Sequence, residues 1–292
     1  MQEIIEQYLR AYKGRLKPST FIDYRSILQH HISRFATFEA LNDGLEDYLS
    51  AAEVSGKRKN NILSATGSFV SWARRREIWK GTFFKVARFS ARSSKIKPLN
   101  PDETRLIMTY APHPYKDFFQ LSFLTGVRTG EALGLKFEDF DLNQGLLSIR
   151  RALTCGHIVS PKTASGERDI PLLRPLREIY QRRQRSNEEG SPWFFYSSRG
   201  GIISRSTLAR KWKALLKAFK IGHRPLYATR HTYASLALAA GEDPLWVAEA
   251  LGHSRADQLF LRYASYIKGV KEDGEKVVSL ILGKRSLMRV VP

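Results

Sequence analysis

Apolar residues in the first 90 positions recur at intervals of three and four, as in Phe21, Tyr24 and Leu28. That spacing is typical of amphipathic helices. It predicts helical segments at 4–9, 19–35, 45–49 and 60–78, with Ser19 or Thr20 as the cap of the second. We therefore expect residues 1–90 to form a small helical domain.

Residues 91–97 include two serines and three basic residues, have little to bury and precede Pro98, which indicates a linker. Asn100, Pro101 and Glu103 then form the pattern of a helix start: a cap, a proline at the first helical position and an acidic residue that closes a capping box. We therefore expect a second domain over residues 98–292.

The period changes to that of short strands at 146–154, 156–160 and 168–172, with turns at 155–156 and 164–167. Helical patterns return at 176–184, 206–219, 229–240, 244–251 and 257–267, and Gly241 and Gly252 stand where helix C-caps are expected. The prediction is a mainly α chain whose second domain is mixed, mostly helical and contains a small antiparallel β-sheet.

The chain carries 48 Lys and Arg against 28 Asp and Glu, a net charge of +20. There are 18 basic and 9 acidic residues before Pro98, and 30 basic and 19 acidic residues from Pro98 onward. The excess of positive charge is therefore not confined to a basic tail. A polyanion is the expected partner. Composition favours nucleic acid and leaves an anionic membrane surface as the alternative.

A single cysteine, Cys155, excludes an internal disulfide framework and a cysteine-built zinc site. The N-terminus lacks the basic start and apolar run of a signal peptide, and no 18 apolar residues run together. We expect a cytoplasmic protein that is not embedded in a membrane.

Two basic clusters flank the last helix predicted in the first domain. They are candidate DNA contacts, and the alternative is a solvated helical surface. Their members are Lys57, Arg58 and Lys59 at one end and Arg74, Arg75 and Arg76 at the other.

Candidate chemistry in the second domain begins with Arg128, between two glycines in TGVRTG, where an arginine at a helix N-terminus is suited to bind phosphate. Lys162 and Arg168 flank the turn in PKTASGERDIPL, which would place a lysine on a β-hairpin. Taken singly, each is more typical of an ordinary surface residue.

Arg230 and His231 begin an Ala-rich helix with Thr229 as its cap, and burial of these side chains is costly unless they face an anionic group. His231 could equally be a core histidine. His253 follows Gly252 in LGHS. Tyr263 and Tyr266 come next, three residues apart on one helix face, a spacing also typical of core tyrosines.

The order of these motifs resembles that of the tyrosine recombinase (phage integrase) family across nearly the whole chain. The resemblance implies that residues 1–90 are its SAM-like core-DNA-binding domain, residues 91–97 a linker and residues 98–292 its catalytic domain with a C-terminal tail. The implied catalytic set is Arg128, Lys162, Arg230, His253 and Tyr263, supported by Glu131, Tyr227 and His231.

Two positions depart from the family pattern. The family's HxxR motif has a histidine where this chain has Tyr227, in YATR, and nearby His223 is an alternative for its role. The nucleophilic tyrosine commonly follows the LGH histidine by nine residues, whereas Tyr263 follows by ten. We choose Tyr263 because LFLRYASYI resembles the RYxxY-type ending of integrases, and Tyr266 is the alternative nucleophile.

The implied activity is site-specific DNA recombination through a 3′-phosphotyrosyl intermediate, with no metal, ATP or other cofactor, to integrate or excise a mobile element of phage or other origin. The implied partner is double-stranded DNA, bound by a homo-tetramer that is a monomer in free solution, with accessory DNA-bending proteins and a nucleoid location. The alternatives are a catalytically decayed integrase that binds specific DNA sequences, and a topoisomerase. Larger phage members carry a further N-terminal arm-binding domain, and the sequence leaves open whether this protein has one.

Overall fold

The computed structural model describes residues 1–91, 96–160, 166–188 and 190–252, together with Tyr263. The chain divides into two compact units, Met1–Ser94 and Lys95–Pro292, called here the N-terminal and C-terminal units. Within the described residues, no helix combines the length and the apolar character needed to cross a bilayer.

The N-terminal unit contains the four predicted helical segments. They are α1 (Gln2–Tyr12), α2 (Pro18–Ile27, continued by a π-helical turn over Leu28–Ile32), α3 (Phe38–Ala51) and α4 (Gly56–Arg75).

The cap predicted for α2 at Ser19 or Thr20 is wrong. The cap residue is Lys17, and Pro18 takes the first helical position. Proline suits that position because its φ is already helical and the N–H it lacks would have had no helical partner.

Aromatic rings form much of the core of the N-terminal unit. Phe69 of α4 stacks on Phe38 at a centroid distance of 5.5 Å and meets Tyr8 of α1 edge to face at 5.5 Å. The segment after α4 folds back on this unit, because the Asn60 amide donates to Phe89 O (2.8 Å) and accepts from Phe89 N (2.9 Å).

The C-terminal unit begins with the predicted capping box. The Asn100 side chain accepts from Glu103 N at 2.8 Å, and the Glu103 carboxylate accepts from Asn100 N at 2.9 Å. The helices of this unit are α5 (Pro101–Tyr110), α6 (Tyr115–Thr125), α7 (Thr129–Leu133), α8 (Arg174–Arg185), α9 (Arg205–Ala218), α10 (Ala228–Ala240) and α11 (Pro244–Leu251).

The described strands form two antiparallel sheets. They are β1 (Phe140–Asp141), β2 (Leu146–Ile149), β3 (Ala152–Thr154), β4 (His157–Val159) and β5 (Arg168–Pro171), in the orders β1-β2-β5 and β3-β4. β5 therefore pairs with β2 and not with β4, so the hairpin predicted between these two strands is wrong.

Strand β3 of the second sheet lies against α7. Gly130 makes this approach possible, since a Cβ at that position would be 2.7 Å from Leu153 O. The mainly helical fold class with a small antiparallel component is confirmed.

The core of the C-terminal unit is built on α6, whose Phe118 and Phe119 contact Phe195 and Trp212 at centroid distances of 5.2 and 5.5 Å. Helix α10 packs against α6 and α11. Its Thr232 hydroxyl oxygen accepts from Leu99 N at 2.9 Å, which ties the start of the unit to α10.

Candidate active site

Helix α11 ends in three consecutive backbone carbonyls that each accept a hydrogen bond from a different arginine. The bonds run from Arg168 Nε to Ala250 O (2.6 Å), from Arg230 Nη2 to Leu251 O (2.6 Å) and from Arg128 Nη2 to Gly252 O (3.1 Å). A helix C-terminus carries unpaired carbonyls and partial negative charge, which attract cations. Two arginines predicted to be catalytic thus meet at one helix end, 102 positions apart in the sequence.

Arg128 reaches this helix end from the turn between α6 and α7. α6 is capped by Gly126, whose φ of +63° is left-handed, and a Cβ there would lie 2.5 Å from the Tyr233 ring. The turn places Arg128 immediately before α7, with 32% of its side chain exposed. Its predicted position at a helix N-terminus is confirmed.

Glu131 fixes Arg128 from the first turn of α7. Its Oε1 accepts from Arg128 Nη1 at 2.6 Å, and its Oε2 accepts from Arg128 N at 2.9 Å and from Arg168 Nη2 at 3.0 Å. Burial alone would raise the pKa of this carboxyl, but the charge and hydrogen bond of Arg168, and then those of Arg128, hold the pKa below its ordinary value. Glu131 is therefore ionised at neutral pH.

Arg230 projects from the first turn of α10 and is 1% exposed. Besides its bond to Leu251, it donates through Nη1 to Gly126 O at 3.0 Å. Burial lowers the pKa of Arg230 to about 10, which leaves the guanidinium charged at neutral pH. Because these two partners are neutral carbonyls, a positive charge is retained inside the site.

The predicted cap of α10 at Thr229 is wrong. The helix begins at Ala228 after Tyr227, and the Thr229 hydroxyl donates to Leu226 O at 3.1 Å. The preceding turn supplies partners for the first backbone amides, since Ala228 N donates to Pro225 O at 2.8 Å.

A tyrosine and a histidine share a buried hydrogen bond beside Arg230. The phenolic oxygen of Tyr263 bonds Nδ1 of His231, and the two residues are 4% and 6% exposed. The Tyr227 ring meets the His231 ring edge to face at a centroid distance of 5.1 Å. The structure thus brings Tyr227, His231 and Tyr263 together, whereas His223 is exposed in the loop before α10.

Arg168 completes this arrangement, although its sequence context predicted only a residue that flanks a turn. The alternation in strand β5 could have indicated its burial, because Arg168 and Ile170 face the buried side and alternate with exposed Asp169 and Pro171. An arginine in phase with a core isoleucine must find polar partners inside the protein.

Three predicted site residues lie outside the described residues. They are the proposed general acid Lys162, the LGHS histidine His253 and the alternative nucleophile Tyr266.

The predicted basic clusters lie at the two ends of α4, which at 20 residues is roughly 30 Å long. Three members already have protein partners: Arg58 pairs with Asp23 at 2.6 Å, Lys59 donates to Ser50 O at 3.2 Å, and Arg75 donates to the Tyr12 hydroxyl at 2.9 Å. Arg75 is exposed, as are Lys57, Arg74 and Arg76.

A further basic surface, which no sequence motif predicted, lies on α9 and the residues after it. Leu208, Trp212, Leu215 and Leu216 form its buried face. Its exposed basic residues are Arg205, Arg210, Lys213, Lys217 and Lys220. This pattern is that of a helix packed by one face and suited to polyanions on the other.

Comparisons with known proteins identify relatives of this chain. IntR, a prophage integrase of Escherichia coli strain K12, is 27% identical over 216 residues, which are 65% of this chain and 53% of IntR. The chain thus spans about half the length of the first curated relatives it matches.

Solved structures show the same fold. The Tn1549 transposon integrase in complex with circular intermediate DNA has a TM-score of 0.72 at 18% identity, over 96% of this chain and 98% of that chain. A lambda integrase tetramer bound to a Holliday junction has a TM-score of 0.66 at 19% identity, over 87% of this chain and 77% of that chain.

The profile of the phage integrase N-terminal SAM-like domain matches residues 1–35, and that of the Phage integrase family matches residues 97–267. The resemblance seen in the motifs is therefore confirmed. More than half of the chain is matched by the second profile, and the chain belongs to the phage integrase family.

Proposed function

We propose that this protein is a site-specific DNA recombinase, which cleaves and rejoins DNA strands through a covalent 3′-phosphotyrosyl intermediate and integrates or excises a mobile element. The observation that carries the proposal is that two arginines meet at the C-terminal end of α11, whose Leu251 shares a core cluster with Tyr263 of the tyrosine–histidine pair. These are the groups that transfer of a phosphodiester to a phenol requires.

Arg128 and Arg230 would bind the non-bridging oxygens of the scissile phosphate. Attack on a phosphodiester concentrates negative charge on those oxygens, and a planar guanidinium matches two of them at once. Removing one such donor should raise the barrier by about 2.7–4 kcal/mol, or roughly 10²–10³-fold in rate.

Tyr263 would be the nucleophile. Its phenolic oxygen forms a bond to phosphorus while the bond to the 5′ oxygen breaks, so one phosphodiester replaces another and the bond energy is kept for rejoining. His231 Nδ1, which already bonds this oxygen, would take the phenolic proton. Lys162 would protonate the leaving 5′ oxygen, and His253 would hydrogen-bond the phosphate.

The same groups imply a change on DNA binding. Leu251 O and Gly252 O occupy donors of Arg230 and Arg128, and Arg230 and Tyr263 are almost fully buried. A phosphate would replace these carbonyls as acceptor, since charge-assisted hydrogen bonds are about twice as strong as neutral ones. Binding of the target phosphate would thus loosen the end of α11.

DNA is the proposed partner, held by the exposed basic residues at the ends of α4 and on α9. Exchange between two duplexes needs four strand cleavages. The lambda integrase neighbour, a tetramer on a Holliday junction, supports a homo-tetramer on DNA. The monomer in free solution and the accessory bending proteins stay predictions.

The test is capture of the covalent intermediate. A library of random-sequence duplexes nicked on one strand serves as suicide substrate, because the short fragment released by cleavage diffuses away and the adduct cannot religate. Wild-type protein should yield denaturation-resistant adducts with a common sequence, and Tyr263→Phe should yield none, because the attacking oxygen is missing.

Tyr110→Phe is the matched control, since this tyrosine is in the same unit, 65% exposed and outside the site. It should form adducts at the wild-type rate. Adducts that persist in Tyr263→Phe and vanish in Tyr266→Phe would identify Tyr266 as the nucleophile.

A second candidate, a DNA-binding protein that has lost the chemistry, is favoured by Tyr227, which stands where the family has a histidine and lies against His231. It predicts sequence-specific binding by the wild type with no adduct on any bound duplex. Sequencing of bound and of covalently captured duplexes from one library distinguishes the two functions.

A further inference from the structure

We propose that Arg168 is a positioning residue for strand cleavage, which holds Glu131, and through it Arg128, at a fixed place relative to the C-terminal end of α11. This role rests on the proposed function. Arg168 is not itself a catalytic residue, because its three guanidinium nitrogens each donate to an acceptor within the protein.

Arg168 connects three separate segments. Nε donates to Ala250 O at the end of α11 (2.6 Å), Nη1 to Gly166 O before β5 (3.0 Å) and Nη2 to Glu131 Oε2 on α7 (3.0 Å). Its side chain is 6% exposed. Only a rigid guanidinium fork offers these three directions together, whereas a lysine is a point donor.

Arg168 is connected to the proposed phosphate-binding groups through two of its hydrogen-bond partners. Through Glu131 it reaches Arg128, which that carboxylate binds with both oxygens. Through Ala250 it reaches Gly252, whose carbonyl accepts from Arg128 and whose next residue in the sequence is His253. A displacement of Arg168 would therefore shift both sides of the contact between Arg128 and α11.

A purely structural role would not require this charge. Uncharged residues often replace both members of a buried ion pair without loss of stability, whereas removing one member alone destabilises the fold. The double variant Glu131→Gln/Arg168→Met should therefore recover stability but not cleavage, and that difference makes the proposal testable.

The experiment compares Arg168→Lys and Arg168→Met with Arg151→Lys. Arg151 is the matched control because it also binds a buried carboxylate, that of Asp139 at 2.6 and 2.8 Å, in the same unit, and its acidic partners Asp139 and Glu138 lie outside α11. The substrate is the duplex selected by wild-type adduct formation. Single-turnover cleavage rates are measured at saturating protein. DNA dissociation constants are measured at limiting protein.

Both Arg168 variants should cleave about 10²-fold more slowly, the loss typical of a small misplacement of reacting groups. Their DNA dissociation constants should stay within about two-fold of wild type, because the phosphate-binding arginines are retained. Arg151→Lys should leave both quantities unchanged. In a double-mutant cycle, the losses of cleavage rate caused by Glu131→Gln and Arg168→Met should be non-additive, because both substitutions remove the same Arg168–Glu131 ion pair.

Amide hydrogen exchange of residues 244–252 provides a readout that does not depend on cleavage. Exchange should be faster in Arg168→Lys than in wild type and unchanged in Arg151→Lys. Wild-type cleavage by Arg168→Lys, or fully additive losses with Glu131→Gln, would overturn the positioning role. If wild-type protein forms no adduct, the proposed function fails, and unchanged exchange at 244–252 would separately reject the connection to α11.

Discussion

Replacing Glu131 by glutamine should destabilise the C-terminal unit, because it removes the carboxylate between two arginines. Glutamine keeps the shape and one acceptor oxygen but leaves the 6% exposed Arg168 side chain without an opposite charge. Breaking a buried pair costs about 3–5 kcal/mol. We expect the lower end, since Arg168 keeps its bonds to Gly166 and Ala250 and the Arg128 side chain is 32% exposed.

Urea unfolding followed by tryptophan fluorescence measures this loss. Trp193, Trp212 and Trp246 report on the C-terminal unit. The control is Asp169→Asn, because Asp169 and its partner Arg150 have side chains 41% and 43% exposed. An exposed pair should contribute no more than about 1 kcal/mol.

The difference between wild type and Glu131→Gln should also depend on pH. The folded-state pKa of Glu131 is lowered, so its contribution is complete above the ordinary value of 4.5 and is lost as pH falls through the lower folded-state value. Below that value the wild type carries a neutral side chain too, and the two curves should converge. The reasoning would be refuted if Glu131→Gln lost no more free energy of unfolding than Asp169→Asn. It would also be refuted if the difference between wild type and Glu131→Gln stayed the same in acid.

Four further outcomes follow from the structure and the proposed chemistry. Lys162→Ala should slow cleavage of ordinary DNA but not of DNA with sulfur at the leaving 5′ position, because a thiolate leaves without a proton; equal losses would exclude Lys162 as the acid. Gly126→Ala should cost roughly 1–3 kcal/mol in urea unfolding, since its Cβ would clash with the Tyr233 ring at a φ of +63°. Phe69→Ala should cost about 3–5 kcal/mol in the unfolding of the N-terminal unit, and a smaller loss would contradict the packing described. Lys57→Gln should reduce the slope of log affinity against log salt by about 0.9 if this residue contacts a phosphate, and an unchanged slope would exclude the contact.

Local signals predicted the helices because each depends on neighbours in the sequence. The Asn100 capping box and the C-caps at Gly241 and Gly252 are confirmed. The caps expected at Ser19 or Thr20 and at Thr229 failed because other adjacent residues, a proline in one case and a preceding turn in the other, begin those helices.

The candidate site was only partly predictable. Arg128 and Glu131 lie three residues apart on one helical turn, so their contact follows from helix geometry. The bonds of Arg168 to Ala250 and of Arg128 to Gly252 join residues 82 and 124 positions apart. No periodicity reports such contacts, which depend on how α11 packs against α10 and the sheet.

The three arginine bonds also determine how long α11 can be. Its eight residues lie between the Asp243 cap and Gly252, and a helix turns 100° and rises 1.5 Å for every residue. Inserting or deleting one residue would rotate all three carbonyls away from their donors together, while a conservative side-chain exchange leaves the backbone acceptors in place. Natural variants of this chain should therefore differ in the composition of α11 and keep its length.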